Sequence, residues 1–270
     1  MTSKPVLEKM LGFIDTYQQQ RLHLSSINVV RSLRAYTRPS YASKFWELVA
    51  GKNPDFVKGE LDDQSAVMMD KEIDFAHFMA ALSDQAWGGN LFSTLSDGAL
   101  WLASKVVTGH GYDSREYTAA IGDTAQPIEI YLDKHGGKQY DASLLQDMLG
   151  KFASVKDYDS DLVAFVVGRI LYKNPGLSIK DAILQADQMS FDDGTRDYLS
   201  QMFGAQFDKG TWQNVASVKE RICDRIQAYL LIKRDAIRAD ILNRTYWKQV
   251  RPALINQAAD HFLDYLRQSL

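Results

Sequence analysis

Apolar residues recur every three or four positions along most of this chain, and that spacing restricts it to a fold built from helices. Val6, Leu7, Met10, Phe13, Ile14 and Tyr17 set the pattern at the start. Ser40, after Pro39, opens a segment from Tyr41 to Val49 that Gly51 closes. Asn53 and Pro54 then supply a cap and a first-turn proline for the next helix. A helix from about Glu72 to Trp87 is expected to stop at Gly88-Gly89, and another reads from Leu91 to Val107. Glycines and Pro127 punctuate residues 108–140, where weak alternation from Ile128 to Leu132 gives the one β signal. Helices then resume. One begins at Asp141, Ser160 is read as the cap of an apolar segment 162–172 ended by Asn174-Pro175-Gly176, and Ser178 caps Ile179 to Met189 with Asp181 in a capping-box variant. Thr211 opens a tract through Ile237, and Pro252 begins a last helix carrying Leu254, Ala258, Phe262 and Leu266. The expected class is all-α, a compact multi-helix domain with at most a short β element near 128–132.

Composition narrows what such a bundle does. At 270 residues, 46% hydrophobic and 24% charged, the chain can bury a real core as one large domain or two small ones. A formal net charge of −3 argues against a nucleic-acid binder. The charge is uneven. Residues 55–97 carry nine acids and two bases, and residues 212–251 nine bases and four acids. These are either faces that attract on folding or an acidic cleft beside a basic wall. Cys223 stands alone, which excludes an internal disulfide and reads as a packed thiol. No apolar run approaches the roughly 20 residues of a membrane span. The longest, Leu162 to Tyr172, contains Arg169. Without an apolar leader in Met1 to Leu11, the chain is expected to be made in the cytoplasm, and either stays there, leaves by a route that needs no classical signal, or is part of a longer protein.

The most informative stretch runs from Lys71 to Trp87. On a helix, Asp70, Asp74, His77, Ala81 and Asp84 fall on one narrow stripe with apolar residues on both flanks. Either the stripe faces a cleft, or Asp74 and His77 pair with each other or with backbone at i, i+3 spacing. Two further acids stand out: Glu60, beside Leu61 and near Phe56, and Asp123, in the Gly-punctuated middle region where loops carry function or an Asp caps a turn. Paired carboxylates suit glycosidic cleavage, in which one protonated acid serves the leaving oxygen and a second carboxylate stabilises the cation, activates water or attacks. The five histidines (His23, His77, His110, His135 and His261) lack metalloprotease spacing, and no phosphate-binding glycine loop or nucleophile elbow is present. Neither a metal nor another cofactor is expected.

The run Tyr41, Phe45-Trp46, Val49, Gly51 and Phe56, followed by Ile73-Asp74-Phe75-Ala76-His77-Phe78-Met79-Ala80 and Trp101, resembles lysozyme-like peptidoglycan-hydrolase domains of bacterial toxins. In particular, it is similar to the C-terminal lysozyme domain of type VI secretion effectors, over roughly residues 36–170. The resemblance implies a lysozyme-like core and cleavage of the β-1,4 bond between N-acetylmuramic acid and N-acetylglucosamine. Asp74 and His77 match the motif, and Asp123 matches a Gly-Asp element. Related domains carry an acid shortly after the tryptophan, where this chain has Leu102-Ala103-Ser104-Lys105. In this reading Glu60, assigned by chemistry, is the general acid. Asp74 or Asp123 orients water or stabilises the cation, His77 supports them, and Trp87, Trp101, Tyr112 and Tyr117 stack on sugar rings. Residues 1–210 form the catalytic region, and 211–270 add helices to the same core. The partners implied are a peptidoglycan glycan strand, an immunity protein and a secretion-machine carrier, with action in the periplasm or wall of a target cell. The alternative is a non-enzymatic helical interaction module (immunity, adaptor or toxin-partner) that docks a basic surface.

Overall fold

The structure, a computed structural model, describes residues 4–37, 51, 65–87, 119–135, 138–203, 215–232 and 245–269. Among the described residues it is mostly helical, with ten helices and one two-stranded sheet. The helical expectation therefore holds, and the β element lies elsewhere than expected. The chain divides into two compact units. One comprises residues 1–89 and 156–198, the other 90–155 and 199–270. Residue 210, read from the sequence as a boundary, falls inside the second of these.

The first unit begins with α1 (Lys4–Gln19) and α2 (Ser26–Thr37). Leu7, Met10, Leu11, Phe13, Ile14 and Tyr17 are buried, as their spacing requires. Strand β1 (Ser65–Met68) pairs antiparallel with β2 (Lys71–Asp74), Met68 opposite Lys71 and Ser65 opposite Asp74. Helix α3 (Phe75–Trp87) follows directly and packs along α2. The expected start at Glu72 is corrected by this arrangement. Residues 71–74 are extended because the chain reverses at Met69 and Asp70, whose φ of 53° and 60° are the left-handed pair of a two-residue hairpin turn. Ile73 is then driven into the core with Ala66 and Met68, while Val67 points outward. Burying side chains of this size stabilises the fold by about 1.5–3 kcal/mol each, which outweighs the helical preference of four residues.

Three more helices touch this hairpin or α1. Helix α6 (Val155–Lys173) is buried on all sides over most of its length, from Tyr158 to Leu171 except at Arg169. Ser160 does not cap it. The helix starts a turn earlier, and Ser160 Oγ donates to the Lys156 carbonyl at 2.6 Å. Its end at Lys173, before Asn174-Pro175-Gly176, is as expected. Helix α7 (Ile179–Asp187) opens on Ser178, whose Oγ accepts the Asp181 N–H at 3.0 Å. Gln18 ties three elements together: its Oε1 accepts the Ile179 N–H and its Nε2 donates to Ser26 Oγ, both at 2.9 Å. Helix α8 (Phe191–Phe203) has Asp192 and Asp193 in its first turn, where the helix dipole favours anions.

The second unit contains α4 (Ala119–His135), α5 (Ala142–Phe152), α9 (Val215–Ile232) and α10 (Thr245–Ser269). Helix α4 packs against the other three. The stretch Ile128 to Leu132 is a turn of α4 and not a strand: Ile128, Tyr131 and Leu132 are buried at i, i+3 and i+4 spacing. Asp123, expected in an irregular region, is likewise within this helix. Asp141 caps α5 through the Leu144 N–H at 3.0 Å, and its own N–H donates to Tyr131 Oη at 2.9 Å. Pro252 lies inside α10, so one helix runs through the expected break; Val250, Leu254, Ile255, Ala258, Phe262 and Leu266 are buried along it. Thr211 and Ile237, proposed limits of the preceding helix, lie outside the described residues, as do the expected helices at 41–49 and 91–107.

Candidate functional site

The start of α3 gathers the chemistry in the first unit. Asp74, the last residue of β2, turns its Oδ1 onto the backbone N–H of His77 at 2.9 Å. That is an N-cap, which satisfies one of the free donors at the head of α3. The Asp74 N–H in turn donates to Ser160 Oγ at 2.9 Å, fixing the hairpin to α6. The i, i+3 link between Asp74 and His77 is therefore carboxylate to backbone, and the imidazole is left to find partners on α6.

It finds two. His77 Nε2 lies 3.1 Å from Asp161 Oδ1, and Nδ1 lies 3.9 Å from Asp157 Oδ1. Asp157 and Asp161 are one helical turn apart, so they share a face of α6. Their exposures differ: the Asp161 side chain is 1% exposed, against 25% for Asp157 and 24% for His77. A buried carboxylate is costly unless hydrogen-bonded, and the ring of His77 supplies that bond. Asp159 and Ser160, between the two acids, are also buried. On the same edge Lys156 Nζ reaches Ser65 Oγ and stands 3.8 Å from Glu72 Oε1.

The helical stripe drawn from the sequence does not exist as such, since Asp70 is in the turn and Asp74 ends a strand. Asp74 and His77 are nonetheless brought together, through the cap. Asp123 is a half-buried residue of α4 in the second unit. Trp87 and Asp84 belong to the last turn of α3. Glu60, Trp101, Tyr112 and Tyr117 lie outside the described residues. Asp157 and Asp161 were missed from the sequence. Their signal was present: acids four residues apart at the entrance of an apolar run must either face water or be paired.

In the second unit, Cys223 is half-buried with Asn256 Oδ1 3.9 Å from its sulfur. Burial, partly offset by Lys219, pushes its thiol pKa up to about 11, which disfavours the thiolate. The Tyr140 hydroxyl donates to Gln257 Oε1, and burial raises its pKa.

No protein-family model matches the chain, and no curated protein or solved structure shows significant similarity to it.

Proposed function

We propose that this chain is a peptidoglycan glycan-strand hydrolase, a muramidase, serving as an antibacterial effector domain in the wall of a target cell. The observation that supports this reading is the group at the head of α3. The motif residues Asp74 and His77 stand with two further carboxylates, Asp157 and Asp161, in a partly exposed acidic setting. Carboxylates beside a group that holds their charge are what oxocarbenium chemistry uses. Glu60 is the general acid in this proposal, with Asp74 or Asp123 as the carboxylate that orients water or stabilises the cation. Trp87, Trp101, Tyr112 and Tyr117 bind the sugar rings, and no cofactor takes part. An immunity protein and a secretion-machine carrier are its partners. The test is digestion of purified sacculi: soluble muropeptides released by wild type and lost in Glu60→Gln support the reading, and intact sacculi at high protein concentration end it.

A second reading has its own observation. Asp74, Ser160, His77 and Asp161 are joined to one another by hydrogen bonds that staple β2, α3 and α6 together. A network of that kind suits a helical interaction module whose acids are structural. Such a module leaves sacculi intact and keeps its stability dependent on the same residues.

A further inference from the structure

Alternation along β1 puts Ala66 and Met68 on its buried face and Ser65 and Val67 on the other. Ser65 is half-buried and Val67 exposed, and opposite them on β2 stand Asp74 and Glu72. Lys156, in the first turn of α6, extends onto this outer face. Its Nζ donates to Ser65 Oγ and lies 3.8 Å from Glu72 Oε1. The backbones that carry the serine and the lysine are locked to one frame. Ser160 Oγ donates to the Lys156 carbonyl at 2.6 Å and accepts the Asp74 N–H at 2.9 Å, and Asp74 is the register partner of Ser65. One hydroxyl thus ties the root of Lys156 to the hairpin. A hydroxyl in hydrogen-bond contact with a base, and a third group against that base, is the arrangement that activates a nucleophile. An ammonium only donates. Once it has given up a proton, the same Nζ can accept the one on Ser65 Oγ.

We infer that Ser65 and Lys156 are a nucleophile–base pair, forming a second site that hydrolyses carboxylic esters. Ser65 Oγ bonds the acyl carbon while neutral Lys156 Nζ takes the hydroxyl proton. The acyl C–O bond then breaks, and the departing alcohol oxygen takes that proton from Nζ. Water attacks the acyl-serine in the second half, passing its proton to Nζ, and the proton returns to Ser65 Oγ as the acid leaves. The sum is ester plus water to acid plus alcohol. Serine with a lysine base is one of the recurring forms of the nucleophilic dyad. Esters fit this face better than amides. The Lys156 and Glu72 side chains are 36% and 67% exposed, so water is not shut out, and an alcohol leaves with less assistance than an amine. Exposure also screens the hold of Glu72 on Nζ: Glu72 orients the base without burying a second charge beside it.

An alkyl fluorophosphonate tests this on the full chain. It adds to an activated serine with loss of fluoride, and mass spectrometry of the digested protein locates the adduct. The expected result is an adduct at Ser65 that forms faster as the pH is raised and Lys156 gives up its proton. Lys156→Arg keeps a cation able to reach Ser65 and Glu72 but does not release its proton, so it separates support of the fold from proton transfer. With circular dichroism like that of wild type, it should label at Ser65 on the order of a hundredfold more slowly. Lys156→Gln makes the same comparison if the arginine variant does not fold. Labelling of the folded variant at the wild-type rate overturns the inference. So does a wild-type Ser65 that stays unmodified at every pH where the chain is folded. Hydrolysis of p-nitrophenyl acetate should fall to the buffer rate in Ser65→Ala, and turnover unchanged by that substitution also overturns it. Digestion of sacculi plays no part in these measurements, so the muramidase reading and this one stand or fall separately.

Discussion

The carboxylate of Asp187, at the end of α7, accepts the backbone N–H of Met69 at 2.8 Å. Met69 sits at φ 53° in the hairpin turn and is 2% exposed. A side chain in the left-handed region costs roughly 1–2 kcal/mol, and a buried N–H without an acceptor costs about as much. The Asp187 contact removes the second cost and helps to hold the first in place. Lys71 Nζ lies 4.5 Å from the ring centre of Phe191, so the turn is also held by the start of α8.

Substitutions at the turn should separate these effects. Asp70, at φ 60° and exposed, has no such anchor. Asp70→Gly should raise stability by about 0.5–1 kcal/mol, because glycine adopts this conformation without a steric cost. Asp187→Ala should lower it by about 1–3 kcal/mol. Urea unfolding monitored by far-UV circular dichroism measures both. Equal destabilisation by the two changes would contradict the assignment.

Gly194 should tolerate no larger residue. A Cβ there would stand 2.7 Å from Val166 Cγ2 and 3.1 Å from Met69 Cε. Gly194→Ala is expected to destabilise by about 1–3 kcal/mol through overpacking, and Val166→Ala in the same chain should recover part of that loss. A double mutant no more stable than the less stable of its parents would place the clash elsewhere.

Asp74 gives a way to separate capping from chemistry. Asparagine caps a helix about as well as aspartate, whereas alanine loses about 0.5–2 kcal/mol. Thermal melts should therefore show Asp74→Asn close to wild type and Asp74→Ala clearly lower. If Asp74 also acts in hydrolysis, Asp74→Asn will fail to digest sacculi although fully folded. Retained lysis in that variant would leave Asp74 as a cap alone.

Cys223 sets a pH dependence. With its thiol pKa at about 11, only about one part in a thousand is thiolate at pH 8. Alkylation by iodoacetamide should rise about tenfold per pH unit through pH 10 and level off above 11. The linkage has a definite sign. Folding raises this pKa above the unfolded value, so the stabilisation is complete below about pH 8.5 and is lost as pH rises toward 11. A rate already level at pH 9 would show an ordinary, accessible thiol.

The helices were legible where periodicity is unbroken and caps are strong. The pattern from Val6 to Tyr17, the helix start at Asp141, the Ser178 cap and the stop after Lys173 all follow from local chemistry. The hairpin was not, because Met69-Asp70 carries none of the Asn-Gly character that marks such turns. Only tertiary contacts hold it. Prolines misled in the opposite direction. Pro127 and Pro252 each lie within a helix, where packing of the surrounding apolar residues outweighs one missing hydrogen bond. At the site, the spacing placed a helix ending at Trp87 and allowed an Asp74 pairing at i, i+3, but its start was set too early, and Asp157 and Asp161 belong to a helix about 80 residues away in sequence. No spacing rule connects them to His77.

The course of the chain between its two units has a consequence for synthesis. It passes from one to the other after residues 89, 155 and 198. Neither can close while its later segment is still inside the ribosome, so the first waits for the front of α8 and the second for the final helix. Early release or trimming of the C-terminus should therefore leave nascent protein with exposed apolar faces, dependent on chaperones until translation ends.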